Sequence, residues 1–190
     1  MIEVKKTPIP GVLTIHPKKI GDDRGYFSET YNAKEFAQHG IRDVFVQDNQ
    51  SYSAKAGVLR GLHYQLNPHA QTKLIRVTRG RVFDVVVDIR RGAPTFLKWI
   101  SFELSTDRWC QLYIPIGFAH GFLTLEDDCE CIYKVTDFYA PECDRSIRFD
   151  DPDIGIKWPV DLTHVQLSEK DKRAPFVKDA ELFDFAEMTK

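Results

Sequence analysis

The 190-residue sequence lacks several features that mark whole classes of protein. No apolar run approaches the roughly 20 residues of a membrane-spanning helix. The first residues, MIEVKKTPIPG, do not contain the apolar core of a signal peptide. We therefore expect a cytoplasmic protein that does not enter a membrane. The net charge of −2 provides no overall attraction to polyanions, so no nucleic-acid partner is expected.

Cysteine is also scarce, with four residues in the chain. Cys129 and Cys131 are two positions apart in a strand-like segment and should face the same side. This spacing suits two small buried side chains better than a disulfide between them. Zinc binding is the weaker alternative, because no second close pair completes a tetrahedral set of ligands.

What the sequence does contain is a series of short segments rich in β-branched and aromatic residues, separated by turn signals. They favour an antiparallel jelly-roll barrel, a mainly β fold with a few short helices. We expect one domain over residues 1–190, with a barrel core at about 25–140 and a C-terminal tail at about 160–190 packed on it. Strands are predicted at 25–31, 44–52, 58–65, 74–78, 82–89, 98–104, 111–114, 121–125 and 129–138.

Local signals also predict two helices and a turn. A helix at Ala33–Gln38 has Asn32 as its N-cap and Gly40 beyond its end. Ser168 precedes acidic residues that begin a second short helix. The Arg79-Gly80-Arg81 segment between two strands predicts a hairpin turn. Since a barrel leaves a concave mouth lined by inward side chains, we expect the active site there.

Two segments resemble the histidine-containing motifs of the cupin superfamily, which is built on such a barrel. The first places Gly57 before His63 and Gln65, and the second runs from Pro115 to His120. Metal-binding cupins usually carry His-x-His and a Glu in the first motif and another His in the second. Only His63 and His120 remain here, and catalytic metal sites usually keep three protein ligands. We therefore expect no bound metal.

A barrel pocket that has a histidine but no metal indicates proton-transfer chemistry. Histidine titrates near neutral pH, so His63 suits a general base, and the Asp171 carboxylate could orient its ring. A cation at Lys73 could stabilise an enolate oxygen. Tyr133 shares a strand face with two cysteines, so its hydroxyl should point into the barrel. The plainer alternatives are a structural histidine and a core tyrosine.

Ordered segments along about 150 residues resemble the dTDP-4-dehydrorhamnose 3,5-epimerase family. Any one of them is a weak signal, but their combination in this order is specific. They begin at Asp23, Val46, Leu59, Lys73, Pro115, Tyr133 and Leu167, and read DRGYFSE, VQDNQS, LRGLHYQ, KLIRV, PIGFAHGF, YKVT and LSEKD.

The resemblance implies a role for each matching position. His63 corresponds to the base, Asp171 to its partner, Tyr133 to the acid on the other face of the sugar, and Lys73 to a catalytic cation. Phe27 and Tyr139 are aromatic positions that could stack on the base or the sugar. The implied substrate-binding residues are Arg24, Phe27, Glu29, Gln47, Asn49, Arg60, Lys73, His120, Tyr139, Asp144 and Lys170.

The implied reaction is epimerisation of dTDP-4-dehydro-6-deoxy-D-glucose to dTDP-4-dehydro-L-rhamnose. The C4 ketone acidifies the hydrogens at C3 and C5, so removing either one gives an enolate. No nicotinamide, flavin or metal is required, and no glycine-rich dinucleotide turn is present in the sequence. The resemblance also implies a homodimer. The alternatives are a C3-only or C5-only epimerase of another nucleotide 4-keto sugar, and a non-catalytic or metal-dependent cupin.

Arg60 does not fit simple strand alternation. Alternation places His63 and Gly61 on one face of the strand and Arg60 on the other. A bulge at Gly61 could turn Arg60 into the pocket. Otherwise Arg60 could reach the site of a neighbouring subunit or lie at the surface beside apolar residues.

Overall fold

Short strands dominate the computed structural model, which describes residues 1–188. Three short helices are α1 (Ala33–Gln38), α2 (Glu169–Lys172) and α3 (Phe185–Met188). None of these described helices has the length and apolar character needed to cross a bilayer. The strands are β1 (Ile2–Lys6), β2 (Leu13–Pro17), β3 (Ile20–Asp22), β4 (Gly25–Phe27), β5 (Gln47–Ser53), β6 (Leu59–Gln65), β7 (Lys73–Arg79), β8 (Arg81–Asp88), β9 (Arg90–Arg91), β10 (Trp99–Ser105), β11 (Gln111–Ile114), β12 (Phe118–Thr124), β13 (Cys129–Val135), β14 (Asp144–Ser146) and β15 (Phe183–Asp184).

Two antiparallel sheets form the body of the fold. One has six strands in the order β1-β2-β11-β7-β13-β5, and the other has five in the order β10-β8-β12-β6-β14. Two smaller pairs join β3 to β4 antiparallel and β9 to β15 parallel. The two large sheets have separate ladders rather than one closed ring of hydrogen bonds. The predicted mainly β, jelly-roll class is confirmed.

The side chains of strand β8 alternate between two separate apolar clusters of the core. Val82 and Val86 belong to an apolar cluster that also contains β7, β11 and β13 side chains of the six-stranded sheet. Val85 and Val87 belong to a second cluster on the other face, where Trp158 and other C-terminal residues pack. This is the two-residue alternation of a strand that is covered on both faces.

The structure contains strands that the sequence does not predict. β1 and β2 form one end of the six-stranded sheet, and β14 extends the five-stranded sheet beyond residue 140. The sheets therefore extend past both ends of the predicted core at about 25–140. β1 and β2 are short and are separated by a proline-containing segment, which obscures their strand pattern.

The predicted hairpin turn at Arg79-Gly80-Arg81 is wrong. β7 and β8 pair with other strands and lie in different sheets, so the chain crosses between the sheets at Gly80. Gly80 has a φ of +74°, and a Cβ there would lie 2.6 Å from Cys129 Sγ. Both the turn and the close approach therefore require glycine.

Both predicted helices are present with their predicted caps. The Asn32 side chain accepts hydrogen bonds from the first-turn amides of α1. The Ser168 hydroxyl accepts one from the Asp171 amide at the start of α2. These caps depend on neighbouring residues alone, which makes them readable from sequence.

Candidate active site

A cleft of about 530 Å³ opens between the two large sheets. The five-stranded sheet contributes side chains from β6 and β12, the six-stranded sheet contributes β5, β7 and β13, and the C-terminal segment contributes residues around α2. Sequence regions more than 100 residues apart therefore meet in one cavity. The predicted site residues that line it are Arg60, His63, Lys73, His120, Tyr133 and Asp171.

His63 and Asp171 form a hydrogen-bonded pair at this cleft. The His63 Nε2 atom lies 2.5 Å from Asp171 Oδ1. Ser168 donates from its hydroxyl to Asp171 Oδ2 at 2.8 Å, so both oxygens of the buried carboxylate have partners. Burial works to raise the pKa of Asp171, but the hydrogen bonds from His63 and Ser168 outweigh it and lower that pKa. The carboxylate is therefore kept ionised beside the imidazole.

A bulge in β6 brings Arg60 and His63 to the same cleft. His63 lies opposite His120, whereas Arg60 lies opposite Phe122, so three steps along β6 match two along β12. Gly61 sits inside this bulge with a φ of +138°. The bulge predicted as one explanation for Arg60 is confirmed, and both side chains line the cleft.

Tyr133 and Lys73 approach from the opposite sheet. Tyr133 lies on β13 and Lys73 begins β7, where its Nζ donates to the His63 carbonyl at 3.2 Å. Burial raises the pKa of Tyr133, although the charge of Arg60 opposes the rise. Burial lowers the pKa of Lys73 to about 8, against the opposing charges of Asp144 and Asp84. The cleft thus holds a protonated phenol and a cation on one side and an imidazole on the other.

A second histidine–carboxylate pair lies at the floor of the cleft. His120 Nε2 lies 2.8 Å from Asp84 Oδ2, and both side chains are buried. His120 lines the cleft, whereas Asp84 lies behind it on β8. The sequence indicates His120 through its motif, but no local signal singles out Asp84.

A second cavity of about 270 Å³ continues from the cleft and shares His63, Lys73 and Tyr133 with it. Gln47 donates from Nε2 to Asn49 Oδ1 at 2.8 Å, and Tyr139 donates from its hydroxyl to Asp144 at 3.2 Å. Lys170 forms an ion pair with the same carboxylate. The predicted binding residues that line this cavity are Gln47, Asn49, Tyr139, Asp144 and Lys170.

Three predicted binding residues are not brought to the cleft of their own chain. Arg24 pairs with Asp22 on the β3–β4 hairpin, and its side chain is 89% exposed. Phe27 at the end of that hairpin is 68% exposed. Glu29 is exposed and accepts a hydrogen bond from Asn32. None of them lines either cavity.

Gln65 occupies the position where metal-binding cupins carry their second histidine. Its Nε2 donates to the carbonyls of His69 and Phe138, and its Oε1 accepts from the Ala140 amide. The side chain therefore links the segment after β6 to the segment after β13 through hydrogen bonds. Within residues 1–188, no three His, Cys, Asp or Glu side chains are grouped as a metal site requires.

Residues 6–179 match the family model described as dTDP-4-dehydrorhamnose 3,5-epimerase. A protein of that name from Sinorhizobium fredii is 54% identical over 168 residues, which are 88% of this chain and 85% of that one. Another from Shigella flexneri is 50% identical over 183 residues, covering 96% of this chain and 99% of its own.

The chain is also similar to solved structures of nucleotide-sugar epimerases. A dTDP-6-deoxy-D-glucose-3,5-epimerase from Legionella pneumophila, in complex with dTDP-4-keto-L-rhamnose, has a TM-score of 0.92 at 44% identity, over 97% of this chain and 99% of that one. A 3'-monoepimerase from Streptomyces bikiniensis in complex with dTDP has a TM-score of 0.90 at 33% identity, over 97% and 94%. That protein is a double mutant of a histidine and a tyrosine, which are as far apart in its chain as His63 and Tyr133 are here.

Proposed function

The chain belongs to the dTDP-4-dehydrorhamnose 3,5-epimerase family, and we propose that it converts dTDP-4-dehydro-6-deoxy-D-glucose into dTDP-4-dehydro-L-rhamnose. The observation that carries this proposal is the placement of His63 and Tyr133 on opposite sheets that face one cleft. A sugar ring between them would meet a base on one face and an acid on the other. That arrangement inverts a carbon when a proton leaves one face and returns to the other.

His63 removes the proton from C3 or C5. Its Nε2 is engaged by Asp171, so Nδ1 is the nitrogen left to accept the proton. Burial lowers the pKa of His63, although Asp171 opposes this shift, and a neutral ring is the form that accepts a proton. Once protonated, the imidazolium is stabilised by the ionised Asp171 carboxylate.

The electrons of the broken C–H bond move onto the C4 oxygen and give an enolate. Lys73 meets that negative charge as a cation, because a pKa of about 8 leaves most of the amine protonated at neutral pH. Tyr133 then donates its phenolic proton to the carbon from the opposite face, and its raised pKa keeps that proton available. Between cycles His63 releases its proton to solvent, and the Tyr133 phenolate takes up a proton from solvent. Two such cycles invert C3 and C5, and the chemistry calls for no cofactor or metal.

The second cavity is the proposed place of the nucleotide. Tyr139 offers an aromatic face, and the amides of Gln47 and Asn49 offer donors and acceptors to a base. Arg60 and Lys170 supply positive charge for the diphosphate. His120 and Asp144 complete the proposed contacts to the substrate.

We also propose that the chain forms a homodimer in which the β3–β4 hairpin of one protomer reaches the cleft of its partner. The hairpin exposes Tyr26 and Phe27, and β5 at the end of the six-stranded sheet has one unpaired edge. Association of two protomers at this edge would cover both the unpaired edge of β5 and the exposed aromatic side chains of the hairpin. Arg24, Phe27 and Glu29 would then join a cleft that they do not reach within their own chain. Light scattering tests the assembly, and a monomeric mass would contradict it.

We place the enzyme in the cytoplasm. Its four cysteines are all free, and three of them are buried. Unpaired thiols suit a reducing compartment. Fractionation of cells that express the full chain would test this, and recovery of the enzyme outside the cytoplasm would contradict it.

The decisive test is solvent deuterium incorporation. Purified protein is incubated in heavy water with dTDP-4-dehydro-6-deoxy-D-glucose and a chelator, and the sugar is analysed by NMR. We expect deuterium at C3 and C5 with inversion at both. Label at one carbon only would make the enzyme a mono-epimerase, a result that the likeness to the Streptomyces bikiniensis enzyme makes worth measuring. A folded, nucleotide-binding protein that introduces no label would contradict the proposal.

A further inference from the structure

Asp84 is a buried carboxylate that the reaction described above does not use. It is completely buried on β8, and its Oδ2 accepts the hydrogen bond of His120 at 2.8 Å. Its other oxygen, Oδ1, is buried and has no hydrogen-bond partner among the described residues. Leaving a carboxylate oxygen unpaired in the interior costs folding free energy.

Asp88 on the same strand shows what a structural carboxylate looks like in this fold. It is also completely buried, but both of its oxygens have partners. Oδ1 accepts from the backbone amide and Nε of Arg90, and Oδ2 accepts from Arg90 and Thr95. Asp84 has no such set of partners, so structural stabilisation does not account for it.

Several of the groups around Asp84 line the cleft. Burial raises the pKa of Asp84, and the opposing effects of the nearby His120 and Lys73 reduce this rise but do not cancel it. Asp84 in turn acts to raise the pKa of Lys73. The titratable or charged groups that face Lys73 and Asp84 are Arg60 and His63 on β6, His120 on β12, Cys131 and Tyr133 on β13, Asp144 on β14, Lys170 on α2 and Cys110 just before β11.

We propose that Asp84 is a positioning residue for the epimerisation: its carboxylate holds the His120 ring at the floor of the cleft and adds a buried negative charge that acts on Lys73 together with Asp144. This role rests on the proposed function. Because Nε2 of His120 is held by Asp84, Nδ1 is the nitrogen available to the substrate. The same negative charge favours the ammonium form of Lys73, which is the form that stabilises an enolate.

The test is Asp84→Asn, because asparagine can still accept the hydrogen bond from His120 but carries no charge. Loss of the negative charge lowers the pKa of Lys73, so its protonated form is lost at lower pH. We expect the alkaline limb of the kcat–pH profile to move down by about one unit, with a loss of kcat of about fivefold at pH 8 that approaches about tenfold at higher pH. The affinity for dTDP should change little.

Asp88→Asn is the matched control, since it removes an equally buried charge from the same strand. It should lower the melting temperature and leave the pH profile of the folded enzyme in place. An Asp84→Asn enzyme with the wild-type kcat and the wild-type alkaline limb would overturn the inference while leaving the epimerase assignment intact. Failure of the wild-type enzyme to introduce deuterium would instead remove the proposed function.

A measurement on the wild-type protein covers the case in which Asp84→Asn does not fold. Nitrogen-15 NMR of the histidine side chains reports which ring nitrogen carries the proton. We expect His120 to be protonated at Nε2 in its neutral form, as donation to Asp84 requires. A His120 ring protonated only at Nδ1 would overturn the inference.

Discussion

The cleft and the β3–β4 hairpin place sequence-predicted residues in opposite settings. In the cleft, His63, Lys73, Tyr133 and Asp171 come from four separate elements and meet in one cavity. On the hairpin, Arg24 and Phe27 are three positions apart in sequence but are exposed, and they line neither the cleft nor the second cavity.

The two regions differ in the contacts that their side chains make within the chain. The cleft residues hold one another through hydrogen bonds within one chain, such as His63–Asp171 and Lys73 to the His63 carbonyl. The hairpin has exposed aromatic residues and an arginine whose partner is its neighbour Asp22. The four cleft residues are therefore assembled within one chain, and we infer that the hairpin adds its side chains to the cleft of a partner subunit.

The largest expected effect is that of His63→Ala on the cleft. Removing the base should lower deuterium incorporation at C3 and C5 by about 100- to 10,000-fold. Binding of dTDP should persist, because the second cavity keeps its other lining residues. NMR exchange rates and calorimetric titration measure the two properties. Wild-type exchange in this variant would remove His63 from the role of base.

Gly61→Ala should disturb the bulge that turns Arg60 and His63 into the cleft. A Cβ at Gly61 would lie 2.5 Å from the Cα of Gly121, and φ is +138°. We expect a loss of about 2 to 4 kcal/mol in the free energy of unfolding. Gly92 is the control, because its φ is +86° but no atom lies within 4 Å of the added Cβ. Its alanine variant should lose about 1 kcal/mol from backbone strain alone. Equal losses in urea denaturation would show that the close approach is unimportant.

The smallest effect is expected for Arg24→Ala, and it tests the hairpin. We expect dTDP affinity to fall by about tenfold, the size of one lost charge-assisted contact. If the hairpin serves the partner's cleft, mixing this variant with His63→Ala should produce active clefts with the wild-type affinity, measured as activity at low substrate concentration. Each mixed dimer would contain one cleft with an intact His63 and an intact Arg24 supplied by the other chain.

A second mixture provides the control for subunit exchange. His63 and Asp171 contact each other within one chain, so His63→Ala mixed with Asp171→Ala should gain no activity. Equal behaviour of the two mixtures would contradict donation of the hairpin to the partner subunit.

Some of the fold could be predicted because it depends on neighbouring residues. The Asn32 and Ser168 caps were readable in this way, as was the shared face of Cys131 and Tyr133 on β13. β1 and β2 were not predicted, because their five-residue patterns are weak without the sheet that they join. The hairpin predicted at Gly80 is wrong for a related reason, because the local signals of a tight turn do not determine whether the two flanking strands pair with each other.

The sequence by itself determined the chemical repertoire: a histidine, a tyrosine, a lysine and an aspartate in ordered motifs, on strands with a two-residue alternation. Only the tertiary structure decided that His63 and Tyr133 lie on opposite sheets, that a bulge carries Arg60 to the same cleft, and that Asp84 lies behind His120. The physical reason is the difference in sequence separation between the residues that decide each feature. Caps and alternation are set by residues a few positions apart, whereas strand partners are selected by packing across the whole chain.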